Sequence, residues 1–187
     1  MHVGVLAFQG DFAEHMEILR ALNVACSEVR NLEDLQECTH LIIPGGESTV
    51  MAKFLWESGV AEKIQERVRD GSLAVYGTCA GAILIAKEVT GKNAPKPLGL
   101  IGIAVDRNAY GSQIESFETS LKIKGSDEDI SVSFIRAPKI TRVGRDLEIL
   151  SSHQSDPVLV RSGNILAGTF HPEMRDETEI HKLFLGI

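Results

Sequence analysis

Cysteine is scarce in this chain, with Cys26, Cys38 and Cys79 the three in 187 residues. An odd number without C-x-x-C spacing supports neither a disulfide framework nor a zinc site, so Cys26 and Cys38 read as structural. Basic clusters are missing too. With 19 Lys and Arg against 26 Asp and Glu the net charge is -7, and phosphate contacts need a basic surface, which works against generic nucleic-acid binding. The start His2-Val3-Gly4-Val5-Leu6 has no basic region followed by a long apolar stretch and cleavage site, and no later apolar run approaches membrane-spanning length. These absences predict a cytoplasmic protein with no nucleic-acid or membrane partner. Low-complexity tracts and internal repeats are lacking as well. Hydrophobic residues at 43% and charged residues at 24% suit a folded chain, and the length suits a single domain, residues 1–187, whose central sheet is covered by helices.

The order of elements begins as alternating strands and helices. Val3 to Phe8 is a short apolar run of the kind expected for a strand buried on both faces. Asp11 with Glu14 makes a capping-box-like start to a helix whose apolar positions are Phe12, Met16, Leu19 and Leu22. Ala25 to Val29 reads as a second strand, Asn31 to Glu37 as a short helix and Leu41 to Ile43 as a third strand, and this βαβαβ order predicts a parallel sheet. Two helices, Val50 to Trp56 and Val60 to Asp70, are divided near Gly59. Ile101 to Val105 is a strand beyond a Pro-rich loop, and Ser116 to Ile123 with Ile130 to Phe134 reads as an antiparallel pair. Short strands follow at Ile140 to Val143, Leu147 to Leu150, Val158 to Val160 and Ile165 to Phe170, before a helix from Thr178 to Leu185.

Chemistry concentrates at three strand ends. Leu73 to Tyr76 suits a buried strand that runs into Gly77-Thr78-Cys79-Ala80-Gly81, and the apolar residues beyond suit a helix. Cys79 therefore sits on a strand-to-helix turn with small residues on both sides, the arrangement of a nucleophile elbow. A free thiol with a pKa of about 8.5 is only a few per cent thiolate at neutral pH, and a helix N-terminus or a nearby imidazolium favours the anion. The glycines count against a merely buried cysteine. The second place is Pro44-Gly45-Gly46-Glu47-Ser48-Thr49, whose paired glycines free backbone N–H groups to face an anion or a developing oxyanion. Taken alone, that stretch reads as a Gly-Gly turn with Ser48 or Thr49 capping the next helix. The third is His171-Pro172-Glu173, an imidazole and a carboxylate held two residues apart by a stiff link. Arg107, taken alone, reads as a surface charge, and His2, His15, His40, His153 and His181 read as structural.

At these residues the chain resembles the class I glutamine amidotransferases, with an elbow of the form G-x-C-x-G and a later H-x-E. Within that class, Leu6-Ala7-Phe8-Gln9-Gly10-Asp11-Phe12, the stretch Pro44 to Thr49, Arg107-Asn108-Ala109-Tyr110-Gly111 and Phe134-Ile135-Arg136-Ala137-Pro138 are similar to the glutaminase subunits of pyridoxal 5'-phosphate synthases. Ser112 departs from the pattern, which has an arginine before Gln113. The resemblance implies an α/β fold, doubly wound, with a mostly parallel central sheet flanked by helices and a small antiparallel addition. It implies Cys79 as nucleophile, His171 as general base and acid, Glu173 as its orienting carboxylate, and backbone N–H groups of Gly46 and Ala80 as the oxyanion hole. Gly46, Glu47, Ser48, Arg107, Ile135 and Arg136 would contact the substrate, L-glutamine, with no metal or cofactor on this chain. Ammonia would pass to a synthase subunit in a large hetero-oligomer. The competing readings are another cysteine hydrolase on the same fold, peptidase-like or deglycase-like, and a catalytically silent regulatory subunit. The intact set Cys79, His171 and Glu173 argues against the last.

Overall fold

In the computed structural model, residues 1–107, 116–126, 128–175 and 177–187 are described. The first half builds β1 (Val3–Leu6), α1 (Phe12–Ala21), β2 (Cys26–Val29), α2 (Leu32–Gln36), β3 (His40–Ile43), α3 (Ser48–Glu57), α4 (Val60–Arg69), β4 (Ala74–Thr78) and α5 (Ala80–Ile85). The second half adds β5 (Ala86–Thr90), β6 (Ile101–Asp106), β7 (Phe117–Lys122), β8 (Asp129–Phe134), β9 (Lys139–Val143), β10 (Glu148–His153), β11 (Asp156–Ser162) and β12 (Ile165–Gly168). A 3-10 turn (Glu173–Arg175) and α6 (Glu179–Leu185) end the chain.

Seven strands form the central sheet in the order β10-β11-β12-β4-β3-β1-β2. The five from β12 to β2 run parallel, and β11 and β10 extend the sheet antiparallel. Buried strands alternate cleanly between the two faces, as the two-residue period of a pleated strand requires. Leu6, Leu41, Ile43, Val75, Ile165 and Ala167 pack on one side with the residues of α3, α4 and α5. Val3, Val5, Ile42, Tyr76 and Leu166 pack on the other with Met16 and Leu19 of α1 and Ile180 and Phe184 of α6. This is the doubly wound architecture expected.

Beyond the parallel core, β10, β11 and the expected hairpin β7-β8 pair antiparallel, and a three-stranded sheet, β5-β6-β9, is mixed, with β5 parallel and β9 antiparallel to β6. The helix after the elbow is short. It stops at Ile85, where the carbonyls of Leu84, Ile85 and Ala86 accept from Leu98, Leu100 and Gly99. Ala86 to Thr90 then pairs in parallel with β6, a strand that has no counterpart among the expected elements.

Two local helix starts differ from the sequence reading. Asp11 makes no side-chain cap to α1. The cap of α3 is Glu47, whose carboxylate accepts from the N–H groups of Thr49 (3.1 Å) and Val50 (2.8 Å), so Ser48 and Thr49 are already inside the helix.

The elbow itself depends on absent side chains. A Cβ on Gly81 would lie 1.9 Å from the Ile43 carbonyl oxygen, and one on Gly77 would lie 2.6 Å from the Gly81 carbonyl carbon. Both contacts are to backbone and cannot be relieved by a rotamer change. The expected outcome for Gly81→Ala is a loss of at least about 2 kcal/mol, because β3 and α5 must separate. Gly71, which has φ +79 and nothing within 4 Å of an added Cβ, should lose only about 1 kcal/mol as Gly71→Ala, from backbone strain alone. Urea unfolding of the two variants checks the difference.

Candidate active site

Parallel pairing places the loops after β1, β3, β4 and β12 together at the carboxyl edge of the sheet, where open α/β sheets bind ligands. Gln9, Gly10 and Asp11 follow β1; Gly45 to Ser48 follow β3; Cys79 follows β4; and His171 follows β12. These loops open onto a cleft of about 720 Å³. Every residue expected at the site except Glu173 lines it: Gly46, Glu47, Ser48, Cys79, Ala80, Arg107, Ile135, Arg136 and His171. Gln9, Gly10, Asp11, Ile83 and Met174 complete the wall.

Cys79 occupies the cap position of α5 with φ 47 and ψ -103, a positive φ that a non-glycine residue adopts only when its surroundings hold it there. Its N–H donates to the Gly168 carbonyl at 2.8 Å, which ties the elbow to β12. Its Sγ lies 3.9 Å from the Ile135 carbonyl oxygen. Three residues beyond Gly168 the chain presents His171, which the end of β8 grips from the other side: the His171 N–H donates to the Ser133 carbonyl at 2.8 Å. The hairpin β7-β8 is therefore anchored to the histidine, and its next residues, Ile135 and Arg136, are delivered to the cleft.

His171 Nδ1 and Glu173 Oε1 are 2.7 Å apart, with both side chains almost completely buried. A carboxylate can only accept, so Nδ1 carries the proton and Nε2 is left for the sulfur. Burial by itself disfavours the imidazolium, but hydrogen bonds and negative charge from Cys79 and Glu173 outweigh it and raise His171 to about 10. Burial dominates at Glu173 and raises its carboxyl above the usual range, opposed by the hydrogen bond and charge of His171.

The Asp11 carboxylate that does not cap α1 lies 3.4 Å from His171 Nδ1. Burial raises its carboxyl, opposed by His171. Asp11, His171 and Glu173 are compact enough to invite a cation. The Nδ1 they share is, however, the atom already bonded to Glu173, an arrangement that suits proton transfer better than ligation.

Across the cleft, Arg107 donates to the Asn93 carbonyl (2.7 Å) and to Glu47 Oε1 (3.2 Å). Burial would raise the Glu47 carboxyl, but bonds from Thr49 and Val50 and the charge of Arg107 hold it below the usual range. Arg136 has φ 45, and its guanidinium has no hydrogen bond or ion pair among the described residues. Ala80 is the first residue of α5, so its N–H has no acceptor within the helix. Asn108 to Gly111, Ser112 and Gln113 lie outside the described residues.

Residues 5–186 match the SNO glutamine amidotransferase family. The chain belongs to that family. It is 47% identical over 185 residues to pyridoxal 5'-phosphate synthase subunit PdxT of Thermus thermophilus, covering 99% of this chain and 96% of that one. Against the same subunit of Thermotoga neapolitana it is 48% identical over 186 residues, covering 99% and 98%. A crystal structure of a glutamine amidotransferase, 46% identical, superposes with a TM-score of 0.93 over 98% of this chain and 97% of that one. The PurLQS structure from Thermotoga maritima, 16% identical with a TM-score of 0.75 and covering 99% and 97%, shares the fold.

Two histidines that read as structural lie directly behind this site. His15 and His181 are fully buried and bonded to each other, His15 Nδ1 to His181 Nε2, at 2.9 Å. Burial lowers His181 to about 4; burial, then the charges of His181 and His171, hold His15 well below its ordinary 6.5. Both are neutral in the folded chain at pH 7, whereas unfolded imidazoles protonate near 6.5. The unfolded state thus binds more protons below that value, and stability falls as pH drops from about 6.5 to about 4. For His181 the loss between pH 7 and pH 4 should be about 3 kcal/mol. Urea unfolding across this range should show that fall, and His181→Gln should remove about that much of the pH dependence.

Proposed function

We propose that this chain is the glutaminase subunit of a pyridoxal 5'-phosphate synthase, hydrolysing L-glutamine and delivering ammonia to a synthase subunit. The observation that carries the site assignment is the elbow sulfur of Cys79 facing an imidazole whose other nitrogen is held by a buried carboxylate at 2.7 Å.

The Cys79 thiolate attacks the side-chain amide carbon of glutamine. The tetrahedral oxyanion accepts hydrogen bonds from the N–H groups of Gly46 and Ala80. With His171 raised to about 10, the proton needed by the leaving ammonia is already on the imidazolium, and its transfer leaves a thioester. The now neutral His171 takes a proton from water, which attacks the thioester and releases glutamate. Glu173 holds the ring in the tautomer that serves both steps. This chain's part in the reaction needs no metal or cofactor.

Ammonia in water at neutral pH is mostly protonated and no longer nucleophilic, so a docked synthase must receive it directly. The docking face proposed is the carboxyl edge around Gln9 and Gly10, within a large hetero-oligomer in the cytoplasm. The Gly45 carbonyl accepts from the Asp11 N–H (3.3 Å), and Gln9 Nε2 donates to the Glu47 carbonyl (3.3 Å). The peptide that supplies the Gly46 N–H is therefore tied to the β1-α1 loop, and contact with a partner there can turn it toward the oxyanion.

The assignment is tested with the synthase partner present and absent, reading ammonia and glutamate. Wild-type chain should turn over glutamine much faster with the partner, and Cys79→Ala should be inactive in both conditions while keeping its fold and partner binding. Substantial hydrolysis by Cys79→Ala would refute the nucleophile.

Recognition of the free α-carboxylate falls to Arg136 ahead of Arg107, whose guanidinium is already held by Glu47 and Asn93. A forked guanidinium grips a carboxylate through two parallel bonds, which an ammonium does not reproduce. Arg136→Lys should therefore cost about 1.5–3 kcal/mol, or roughly tenfold to a hundredfold in kcat/KM, appearing mainly in KM. Partner-stimulated kinetics check this. An unchanged KM would move carboxylate recognition to the backbone near Glu47 and Ser48.

A further inference from the structure

The second oxygen of Glu173 is the least settled atom of the site. Oε1 is engaged by His171, while Oε2 is buried with no hydrogen-bond partner at ordinary distance. His15 Nε2 lies 3.5 Å from it and 3.3 Å from the Thr78 hydroxyl. Behind His15 stands His181, whose Nδ1 is 3.3 Å from the Glu177 carbonyl. The Tyr76 ring stands nearly perpendicular to both imidazoles.

A proton count decides the tautomers. The chain from the Glu177 carbonyl through His181 and His15 to Glu173 has three links and an acceptor at each end. Two neutral imidazoles bring two protons, so one link is without a proton. An unpaired buried carboxylate oxygen costs far more than a neutral carbonyl facing a lone pair. The protons are therefore on His181 Nε2, pointing at His15, and on His15 Nε2, pointing at Thr78 and Glu173.

We propose that His15, locked in its Nε2–H tautomer by His181, is a positioning residue of the triad that holds Glu173 through Oε2 and so sets the direction in which Oε1 holds His171. The proposal rests on the Cys79, His171 and Glu173 assignment.

The test reads carboxamidomethylation of Cys79 by iodoacetamide in the free full-length chain at pH 7, followed on the Cys79 peptide by mass spectrometry, beside partner-stimulated glutaminase kinetics. In His15→Leu the Glu173 oxygen loses its donor. Alkylation and kcat should each fall about tenfold with KM unchanged. In His15→Gln the amide nitrogen reaches the Nε2 position, and both rates should return to within about threefold of wild type. If the Leu variant does not fold, His15→Asn takes its place, since its shorter amide faces His181 and not Glu173. Wild-type rates in His15→Leu or His15→Asn overturn the proposal, as does a Gln variant no better than either. Failure of the triad itself is distinguishable: there His171→Asn would also leave Cys79 alkylation unchanged, and the role of His15 would fall with it.

Discussion

The pairing of β12 with β4 is the contact on which the site depends, because it sets the end of the strand that carries His171 beside the end of the strand that carries Cys79. Gly168 is in register with Thr78, and the Cys79 N–H donates across the pair to the Gly168 carbonyl. Only a parallel pair does this. An antiparallel partner would put the histidine at the opposite edge of the sheet, away from the elbow, whatever its sequence.

Close backbone approach is the second constraint, and it is set by two glycines. Gly81 lets α5 sit against the Ile43 carbonyl and Gly77 lets the same helix fold back on β4. The elbow is thereby clamped between β3 and β4, and the positive φ of Cys79 is maintained by packing on both sides. The loop after β3 reaches the same cleft, where Gly46 and Cys79 both line the wall.

Polar groups at the site work in pairs that hold each other. His171 is gripped from one side by Glu173 and through its backbone by β8. The same bridge to β8 fixes where Ile135 and Arg136 emerge at the cleft. Glu47 caps α3 while restraining Arg107, so the helix end and the cleft wall are one structure.

Local chemistry was legible in the sequence wherever a residue type has one dominant use. The elbow of Cys79 between glycines, the His171-Pro172-Glu173 pair, the Gly45-Gly46 turn and the alternating strands and helices up to β4 all follow from short-range rules, and the structure places them as expected. The sequence misled where two local uses competed. Asp11 is as good a helix cap as a partner for an imidazole, Glu47 is less usual as a cap than Ser48, and Ala86 to Thr90, with Lys87 and Glu88 among five residues, carries no clear strand pattern. In each case a neighbour distant in the chain decides: His171 beside Asp11, Arg107 beside Glu47, and β6 beside β5. His15 and His181 are the extreme example. One lies on the first helix and the other on the last, and neither is near a motif. Only the packing of α1 and α6 on the same face of the sheet brings them together behind Glu173, because helices come to share a face through the sheet between them and not through any spacing in the chain.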